Sequence, residues 1–289
     1  MSIRIATWNV WWRFGNWKSR RPAIARTLAV LDADVITLQE VWCRVDGPDD
    51  PPAPVVVDES AGAEPRDSQP ADLARALGLA HHRYAWQNAH DGMAFGNAIL
   101  TRLPILATHV LPLPPGDSTN EGRTALAVEV QPDDSAPVLV ATTHLNFLWH
   151  HSAQRQVQTA AIGRWLADIR TGDQPVVLTG DFNAVDTSDE VRQLTGKAAI
   201  PDGALGFHDA WEVAGDGDGT TWSRHNTHAF DPPLEGSKRI DYVLASHPTW
   251  DARGAVLDAR VFGDEPDPEV GHPSDHFGVV ADVVTSPRR

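Results

Sequence analysis

The ten residues VVLTGDFNAV, at positions 176–185, form the pattern that decides the fold of this chain. An apolar run ends at Gly180, and Asp181-Phe182-Asn183 follows directly. The run is typical of a buried strand, and the glycine marks a point where the backbone passes close to another group. Asp181 and Asn183 share a face in extended backbone. Such polar residues at a strand end indicate a site, although Gly, Asp and Asn also form ordinary solvated turns.

Length and composition indicate a globular protein. The 289 residues are enough for one large layered core, and 42% of them are hydrophobic. No apolar run approaches the ~20 residues that a membrane span needs. The first residues lead straight into a strand pattern without a secretory leader, so we expect a cytoplasmic protein. The single cysteine, Cys43, fits a reducing compartment and excludes an intramolecular disulfide and a cysteine-based zinc site.

The net charge of −15 arises from 24 basic and 39 acidic side chains. Proteins that grip long duplex DNA usually carry a basic face. The acidic balance therefore argues against a non-specific duplex binder, while nucleic acid stays open as a substrate that the charge does not favour. We expect the protein to act as a monomer.

Many short strands with few helices between them predict an α+β sandwich of two sheets in a single domain. The predicted helices cover residues 19–31, with Ser19 as N-cap, then 71–78, 152–169 with Ser152 as N-cap, and 189–194. A late strand is predicted at 220–223. Residues 46–70 are rich in Pro and Asp without a sustained period, which indicates a loop insertion with only a hint of an edge strand at 55–57.

Polar clusters stand at the ends of six predicted strands or in the turns beside them. They are Asn9, Glu40, Thr143-His144-Leu145-Asn146, Gly180-Asp181-Phe182-Asn183, Arg239-Ile240-Asp241-Tyr242 and Ser274-Asp275-His276-Phe277-Gly278. Each cluster alone has an ordinary structural explanation as a turn, a cap or a solvated acid. Their order and spacing resemble the endonuclease/exonuclease/phosphatase superfamily of metal-dependent phosphoesterases, also called DNase I-like, over nearly the whole chain.

This resemblance implies a four-layered α/β/β/α sandwich. Two mixed β-sheets pack face to face, with helices on both outer sides, and the site lies in a cleft at one end of the sandwich. Residues 46–70 carry no motif of the family and are the main departure from it.

The resemblance also implies a metal site and a base. The metal ligands would be Glu40, Asn9 and Asp275, a set of oxygen donors that suits Mg²⁺, with Mn²⁺ as the alternative. His276 would take a proton from the attacking water, because imidazole titrates near neutral pH. Asp241 would orient the His276 ring and stabilise its charged form.

Four further residues are implied as phosphate-handling groups. Asp181 and Asn183 would position the nucleophile and a phosphate oxygen. His144 would donate a hydrogen bond to the phosphoryl group or to the leaving oxygen. Arg123, in Glu121-Gly122-Arg123, would contact the phosphate. Catalytic roles thus fall to His144, Asp181, Asn183, Asp241 and His276, and substrate binding to Arg123, Asn183 and His144.

The expected activity is Mg²⁺-dependent hydrolysis of a phosphoester, with a phosphodiester favoured, by metal-assisted attack of water. A nuclease of single-stranded or small nucleic acid is an alternative, and an inactive scaffold that binds a phosphorylated partner is another. The shared motifs recognise the phosphate and not what it carries. Trp11, Trp12, Trp17 and Trp149 could stack on a base, meet a lipid interface, or simply pack.

Overall fold

The computed structural model describes residues 1–45, 53–58, 67–115, 122–132, 135–229 and 236–287. The helices are α1 (Trp17–Ala29), α2 (Gln69–Leu77), α3 (Ser152–Ile169), α4 (Asp189–Leu194) and α5 (Ala210–Ala214). The strands are β1 (Ser2–Asn9), β2 (Val35–Arg44), β3 (Val55–Asp58), β4 (His81–His90), β5 (Met93–Thr101), β6 (Ile105–Pro112), β7 (Thr124–Val130), β8 (Val138–His144), β9 (Val176–Asp181), β10 (Phe207–Asp209), β11 (Asp241–Ser246), β12 (Val256–Phe262) and β13 (Gly278–Val284). Within these ranges, no helix combines the length and apolar character that crossing a bilayer requires.

The strands form two mixed sheets. The first has seven strands in the order β12-β13-β1-β2-β5-β4-β3, and the second has six in the order β10-β11-β9-β8-β7-β6. Each sheet contains one parallel pair, β1 with β2 and β8 with β9, among antiparallel neighbours. In the β8–β9 pair both strands end on polar residues, His144 and Asp181. In the β1–β2 pair β1 ends at Asn9 beside Gln39, while β2 continues to Arg44. Parallel pairing thus gathers these polar side chains.

Three apolar layers hold the sandwich together. The central layer lies between the sheets, and it contains residues such as Ile5, Val177 and Val279. A second layer packs α1 and α2 on the outside of the first sheet, and a third packs α3 and α4 on the outside of the second sheet. Leu166 of α3 is fully buried in the third layer, and such burial contributes about 1.5–3 kcal/mol. The predicted four-layered architecture is therefore confirmed.

Helix starts differ from the predictions by a few residues. The backbone amides of Ser19 and Arg20 already donate to the carbonyl of Asn16, so α1 begins at Trp17 and Ser19 is not its N-cap. Ser152 is the first residue of α3, and the cap position belongs to His151.

The structure corrects one predicted strand and adds two short elements. Residues 220–223 do not form a strand, because Trp222 makes only an isolated bridge to Lys238. Residues 207–214 form the short strand β10 and the short helix α5, neither of which was predicted.

The predicted insertion at 46–70 is described only in part, because residues 46–52 and 59–66 lie outside the described ranges. Within it, β3 pairs antiparallel with β4 at the edge of the first sheet, and Val55 and Val56 are exposed. The hint of an edge strand is thus confirmed. Helix α2 begins at Gln69, where the hydroxyl of Ser68 accepts a hydrogen bond from the amide of Ala71. The insertion itself stays a prediction.

Candidate active site

Polar ends of strands from both sheets meet at one end of the sandwich around a cavity of about 740 Å³. The polar residues that line this cavity are Glu40, Asn88, Arg123, His144, Asp181, Asn183 and His276. Asn9 and Asp241 lie behind this lining and are fully buried. Asp275 is half-buried beside it. The structure therefore brings all the predicted site residues to one place.

Strand register fixes three of these side chains in the second sheet. Asp181 is opposite Asp241 in the β9–β11 pair and opposite His144 in the β8–β9 pair. Gly180 precedes Asp181 with φ +136°, and a Cβ there would lie 2.0 Å from the carbonyl oxygen of Thr143. Only glycine fits at this point, because any side chain would force β8 and β9 apart and displace Asp181.

Asp241 and His276 form a buried hydrogen-bonded pair. Asp241 Oδ2 lies 2.9 Å from His276 Nδ1, and the Asp241 amide donates to the hydroxyl of Thr221 at 3.1 Å. The His276 carbonyl accepts a bond from the indole of Trp8 at 2.9 Å, which fixes the backbone beneath the ring. Burial would lower the pKa of His276, but the carboxylates of Asp241 and Asp181 raise it well above its usual value. Burial raises the pKa of Asp241 to about 6 despite its contact with the imidazole.

Asp181 receives hydrogen bonds on both carboxylate oxygens. Asn9 Nδ2 donates to Oδ2 at 3.0 Å, and the Asn183 amide donates to Oδ1 at 2.9 Å. Burial opposes ionisation of Asp181, but the charge of His276, with these hydrogen bonds, lowers its pKa. Asn183 has φ +49°, and its side-chain amide donates to the Leu145 carbonyl at 3.2 Å. Asp181 is therefore held as an oriented anion.

His144 is a neutral imidazole at physiological pH. Burial, followed by the charge of Arg123, lowers the pKa of His144 to about 3. Its Nε2 lies 3.4 Å from Asp181 Oδ2, which is a loose contact. The Phe95 ring is 6.1 Å from the His144 ring, centroid to centroid, so an apolar wall begins directly beside this side chain.

Glu40 and Asp275 bring negative charge together without a matching side-chain cation in hydrogen-bond contact among the described residues. Glu40 sits at φ +54°, where the β2–β5 register shifts between Leu38 and Val41. This bulge turns its side chain toward the cavity. Burial, and then the charge of Asp275, raises the pKa of Glu40 to about 7. Burial also raises the pKa of Asp275. Two such carboxylates are a fitting donor set for a hard divalent cation.

Asn9 links the two halves of the site. Its Nδ2 donates to Glu40 Oε1 at 3.0 Å as well as to Asp181, and its Oδ1 accepts from the Trp11 amide at 3.0 Å. The amide is thus engaged at both ends. Its clearest role in this geometry is to orient Glu40 and Asp181.

Asp181, Asp241 and His276 also place one potential ligand atom each within 4.8 Å of one another, the one group of this kind among the described residues. Because Asp241 Oδ2 and His276 Nδ1 are already joined at 2.9 Å, we interpret this group as a hydrogen-bonded acid–base unit. Glu40 and Asp275 remain the better candidates for holding a metal.

Arg20 is a residue of the site that the sequence reading missed. Its buried guanidinium donates to the backbone carbonyls of Val10, Trp11, Trp12, Phe14 and Pro273, at 2.7–3.3 Å. It therefore ties the loop that follows Asn9 to the segment that precedes Asp275. The available signal was its spacing with Ile24 and Leu28, which places Arg20 on the buried face of α1.

Arg123 and Asn97 both lie in the buried part of the protein near the cavity. Arg123 is buried at the cavity wall, and its carbonyl accepts a bond from the Leu113 amide at 2.8 Å. Glu121 of the same motif lies outside the described residues. Asn97 has a structural role, because its side chain donates to the Thr124 carbonyl at 2.9 Å and so joins β5 of one sheet to β7 of the other.

Comparison with known proteins gives consistent matches. A family model described as Endonuclease/Exonuclease/phosphatase family matches residues 6–276. Among curated proteins, Protein angel of Drosophila melanogaster is 32% identical over 119 residues, which cover 40% of this chain and 30% of that protein. The matched region is thus less than a third of that relative's length.

Solved structures share the fold at low sequence identity. Truncated TDP2 of Caenorhabditis elegans has a TM-score of 0.70 at 21% identity, with 99% of this chain and 98% of that chain covered. An endonuclease/exonuclease/phosphatase from Bacteroides vulgatus has a TM-score of 0.71 at 18% identity, with 99% and 100% covered. With the family match over residues 6–276 and the assembled site, this chain belongs to the endonuclease/exonuclease/phosphatase family, whose members are hydrolases of phosphoester bonds.

Proposed function

We propose that this protein hydrolyses a phosphodiester with the help of a divalent cation, Mg²⁺ by preference and Mn²⁺ as the alternative. The observation that carries the proposal is the meeting of a buried Asp241–His276 pair with Glu40 and Asp275 in one cavity. Family membership supports the reaction class. A scaffold without activity would have no need for a buried acid–base pair beside a cavity.

Glu40 and Asp275 are the residues that would hold the cation, with Asn9 as a further candidate that also orients Glu40. Their fit rests on the closeness of two carboxylates that have no side-chain cation in hydrogen-bond contact among the described residues. Burial, and then the charge of Asp275, raises the pKa of Glu40. When bound, the cation would neutralise charge that develops on the phosphate oxygens. Hard divalent cations prefer carboxylate, water and phosphate oxygens, which is the donor set of this site.

His276 would accept the proton of the attacking water on Nε2, since Nδ1 is engaged by Asp241. Asp181 Oδ2 lies 3.7 Å from His276 Nε2, so a water between them could contact both groups. Asp241 holds the ring and stabilises its charged form. With the negative charge of Glu40 and Asp275 offset by the cation, the imidazole is held less strongly in its protonated form, as a base requires.

Four residues would handle the phosphate and the attacking water. His144 is neutral, so an Nε2–H on it can donate to a phosphoryl oxygen without carrying charge into the site. Asp181 and Asn183, at the cavity wall, would position the attacking water and a phosphate oxygen. Arg123, whose charge already acts on His144, would supply positive charge at the cavity wall.

The test is turnover of bis-p-nitrophenyl phosphate by metal-stripped protein, with Mg²⁺, with Mn²⁺ and with excess EDTA. We expect activity in the two metal arms and its loss with EDTA, followed by recovery when Mg²⁺ exceeds the chelator. A melting curve in EDTA serves as the control for unfolding. Full turnover in excess EDTA contradicts the metal requirement, and no hydrolysis of any phosphodiester under saturating metal contradicts the enzymatic function.

A further inference from the structure

The catalytic cavity has a polar half and an apolar half. The apolar residues that line it are all phenylalanine: Phe14, Phe95 and Phe147. We call these three residues the phenylalanine wall. The cavity volume of about 740 Å³ falls within the range of about 300–1,000 Å³ for sites that enclose an organic ligand. The volume and the wall together indicate that the site also accommodates what the phosphate carries.

An aromatic surface runs without interruption from the catalytic residues to the rim. Phe95 lies 6.1 Å from His144, Trp12 lies 6.4 Å from Phe95, and Phe14 lies 5.4 Å from Trp12, all between ring centroids. Phe14 and Phe147 are 48% and 50% exposed. Large apolar side chains kept in water at the mouth of a cleft mark a ligand surface.

The Trp12 ring and the backbone that carries Phe14 are held in place before any ligand arrives. The Trp12 indole donates to the Ala94 carbonyl at 3.2 Å, and Arg20 donates to the carbonyls of Trp12 and Phe14. Trp12 is kept at φ +31°, a conformation that a free chain rarely adopts. A preorganised surface of this kind favours a rigid ligand, because little conformational freedom remains to be lost on binding.

The composition of the phenylalanine wall favours an aromatic ring over an alkyl chain as its ligand. No Leu, Ile, Val or Met lines the described cavity. Aromatic rings attract other rings in offset or edge-to-face geometry beyond the effect of buried area. The adjoining loop and the start of α1 also carry Arg13 and Lys18, both exposed, in a protein whose net charge is −15. These basic side chains favour a ligand in which an aromatic ring is attached to an anionic phosphate.

We propose that the phenylalanine wall binds a planar aromatic ring on the substrate, so that the enzyme selects aryl or nucleobase phosphodiesters over those with only aliphatic groups. The inference rests on the proposed function for its reaction, while ring binding itself can be measured without turnover.

The experiment compares phosphate monoesters with a common head group as competitive inhibitors of bis-p-nitrophenyl phosphate hydrolysis. Phenyl phosphate and cyclohexyl phosphate form a matched pair of similar size, of which only one is planar. Thymidine 5′-monophosphate is the nucleobase arm, and octyl phosphate is the alkyl-chain arm. Pairing between aromatic rings is worth about 2- to 12-fold in affinity beyond the effect of buried area, so we expect the inhibition constant of phenyl phosphate to be lower than that of cyclohexyl phosphate by such a factor.

Variants assign the preference to the wall. In a Phe14→Leu/Phe147→Leu double variant the apolar surface remains but two rings are lost, so the ratio of the two inhibition constants should fall toward one. Trp250→Leu is the matched control, because Trp250 is a fully exposed ring that does not line the cavity, and it should leave the ratio unchanged.

Three results would overturn the inference of ring binding without contradicting the proposed hydrolysis. They are equal inhibition by phenyl and cyclohexyl phosphate, a ratio that survives the double variant, or tightest binding of octyl phosphate. If no hydrolysis is detected, calorimetric titration of the same esters in the presence of Mg²⁺ separates the two questions. A ring preference there supports the wall while the proposed reaction fails, and equal affinities reject the wall as well.

Discussion

Burial raises the pKa values of two carboxyl groups of the site, Asp241 and Glu40, but the charged partners of these two residues differ. Asp241 has His276 as a counter-ion within the chain, joined at 2.9 Å. Glu40 has Asp275 as its charged neighbour, and the two negative charges add to the effect of burial on the pKa of Glu40. The first pair is complete within the protein. The second pair has no side-chain cation in hydrogen-bond contact among the described residues, and Arg20 acts on it only through its charge. From this we infer that a cation from solution binds there.

The largest effect on turnover should come from removing His276 from the Asp241–His276 pair. His276→Ala removes the base, and loss of a general base costs about 10²- to 10⁴-fold in rate, so kcat under saturating Mg²⁺ should fall at least 100-fold. The change also leaves Asp241 buried without its partner and should lower the melting temperature. His276→Gln, which keeps a hydrogen-bonding side chain, is the control for that loss of stability. Near-normal turnover of either variant rules out the proposed base.

A second change tests whether Asp241 and His276 act as one unit. Asp241→Asn should reduce kcat less than His276→Ala, because the imidazole remains but is poorly oriented. The double variant should be hardly slower than His276→Ala alone, since losses within a unit are far from additive. Multiplied losses in steady-state kinetics would mean that the two residues act independently.

Glu40→Gln tests the Glu40–Asp275 pair, and its effect on stability should be opposite to that of His276→Ala. Without metal, removal of a charge from beside Asp275 should leave the melting temperature unchanged or higher. Mn²⁺ affinity, measured by paramagnetic resonance titration, should weaken at least about 10-fold, and activity should fall with it. Glu269→Gln is the matched control, because Glu269 is exposed and remote from the cavity. A Glu40→Gln variant with unchanged Mn²⁺ affinity would remove Glu40 from the metal site.

The smallest effect should follow from Arg20→Lys. The positive charge near Asp275 and Glu40 is kept, but an ammonium cannot serve five carbonyls in fork geometry. We expect kcat to fall roughly 10-fold through displaced side chains, with only a modest change in KM. Arg21→Lys, on the exposed side of the same helix, should behave as wild type. If Arg20→Lys lowers the melting temperature without a change in kcat, Arg20 serves stability alone.

The fold and the positions of the site residues could be predicted from the sequence because both depend on local patterns. Apolar runs that end in Asn9, His144 or Asp181 indicate strands and place their polar ends at one edge. The register of β9 with β8 and β11 then brings these ends together. The predictions for Ser19 and residues 220–223 were wrong because capping and strand propensities are weak against tertiary contacts.

Other features could not be read in advance because they depend on contacts far apart in the sequence. Arg20 bonds to backbone carbonyls, which carry no sequence identity, and one of them belongs to Pro273. The role of Asn9 as a link between Glu40 and Asp181 requires both sheets to be in place. The positive φ of Glu40 arises from a bulge that no motif announces.

The pairing of β1 with β13 has a consequence for the order in which this protein can become active. Ser274 binds the carbonyl of Asn9 across 265 positions of sequence, which a ribosome translates in roughly 13 to 50 seconds at 5–20 residues per second. Throughout that interval β1 can pair with β2 but not with β13, and its other edge is open to strands of neighbouring chains. A nascent chain thus carries Asn9 and Glu40 long before His276 exists. The strand that joins β12 to β1 in the first sheet also directly follows the base in the sequence.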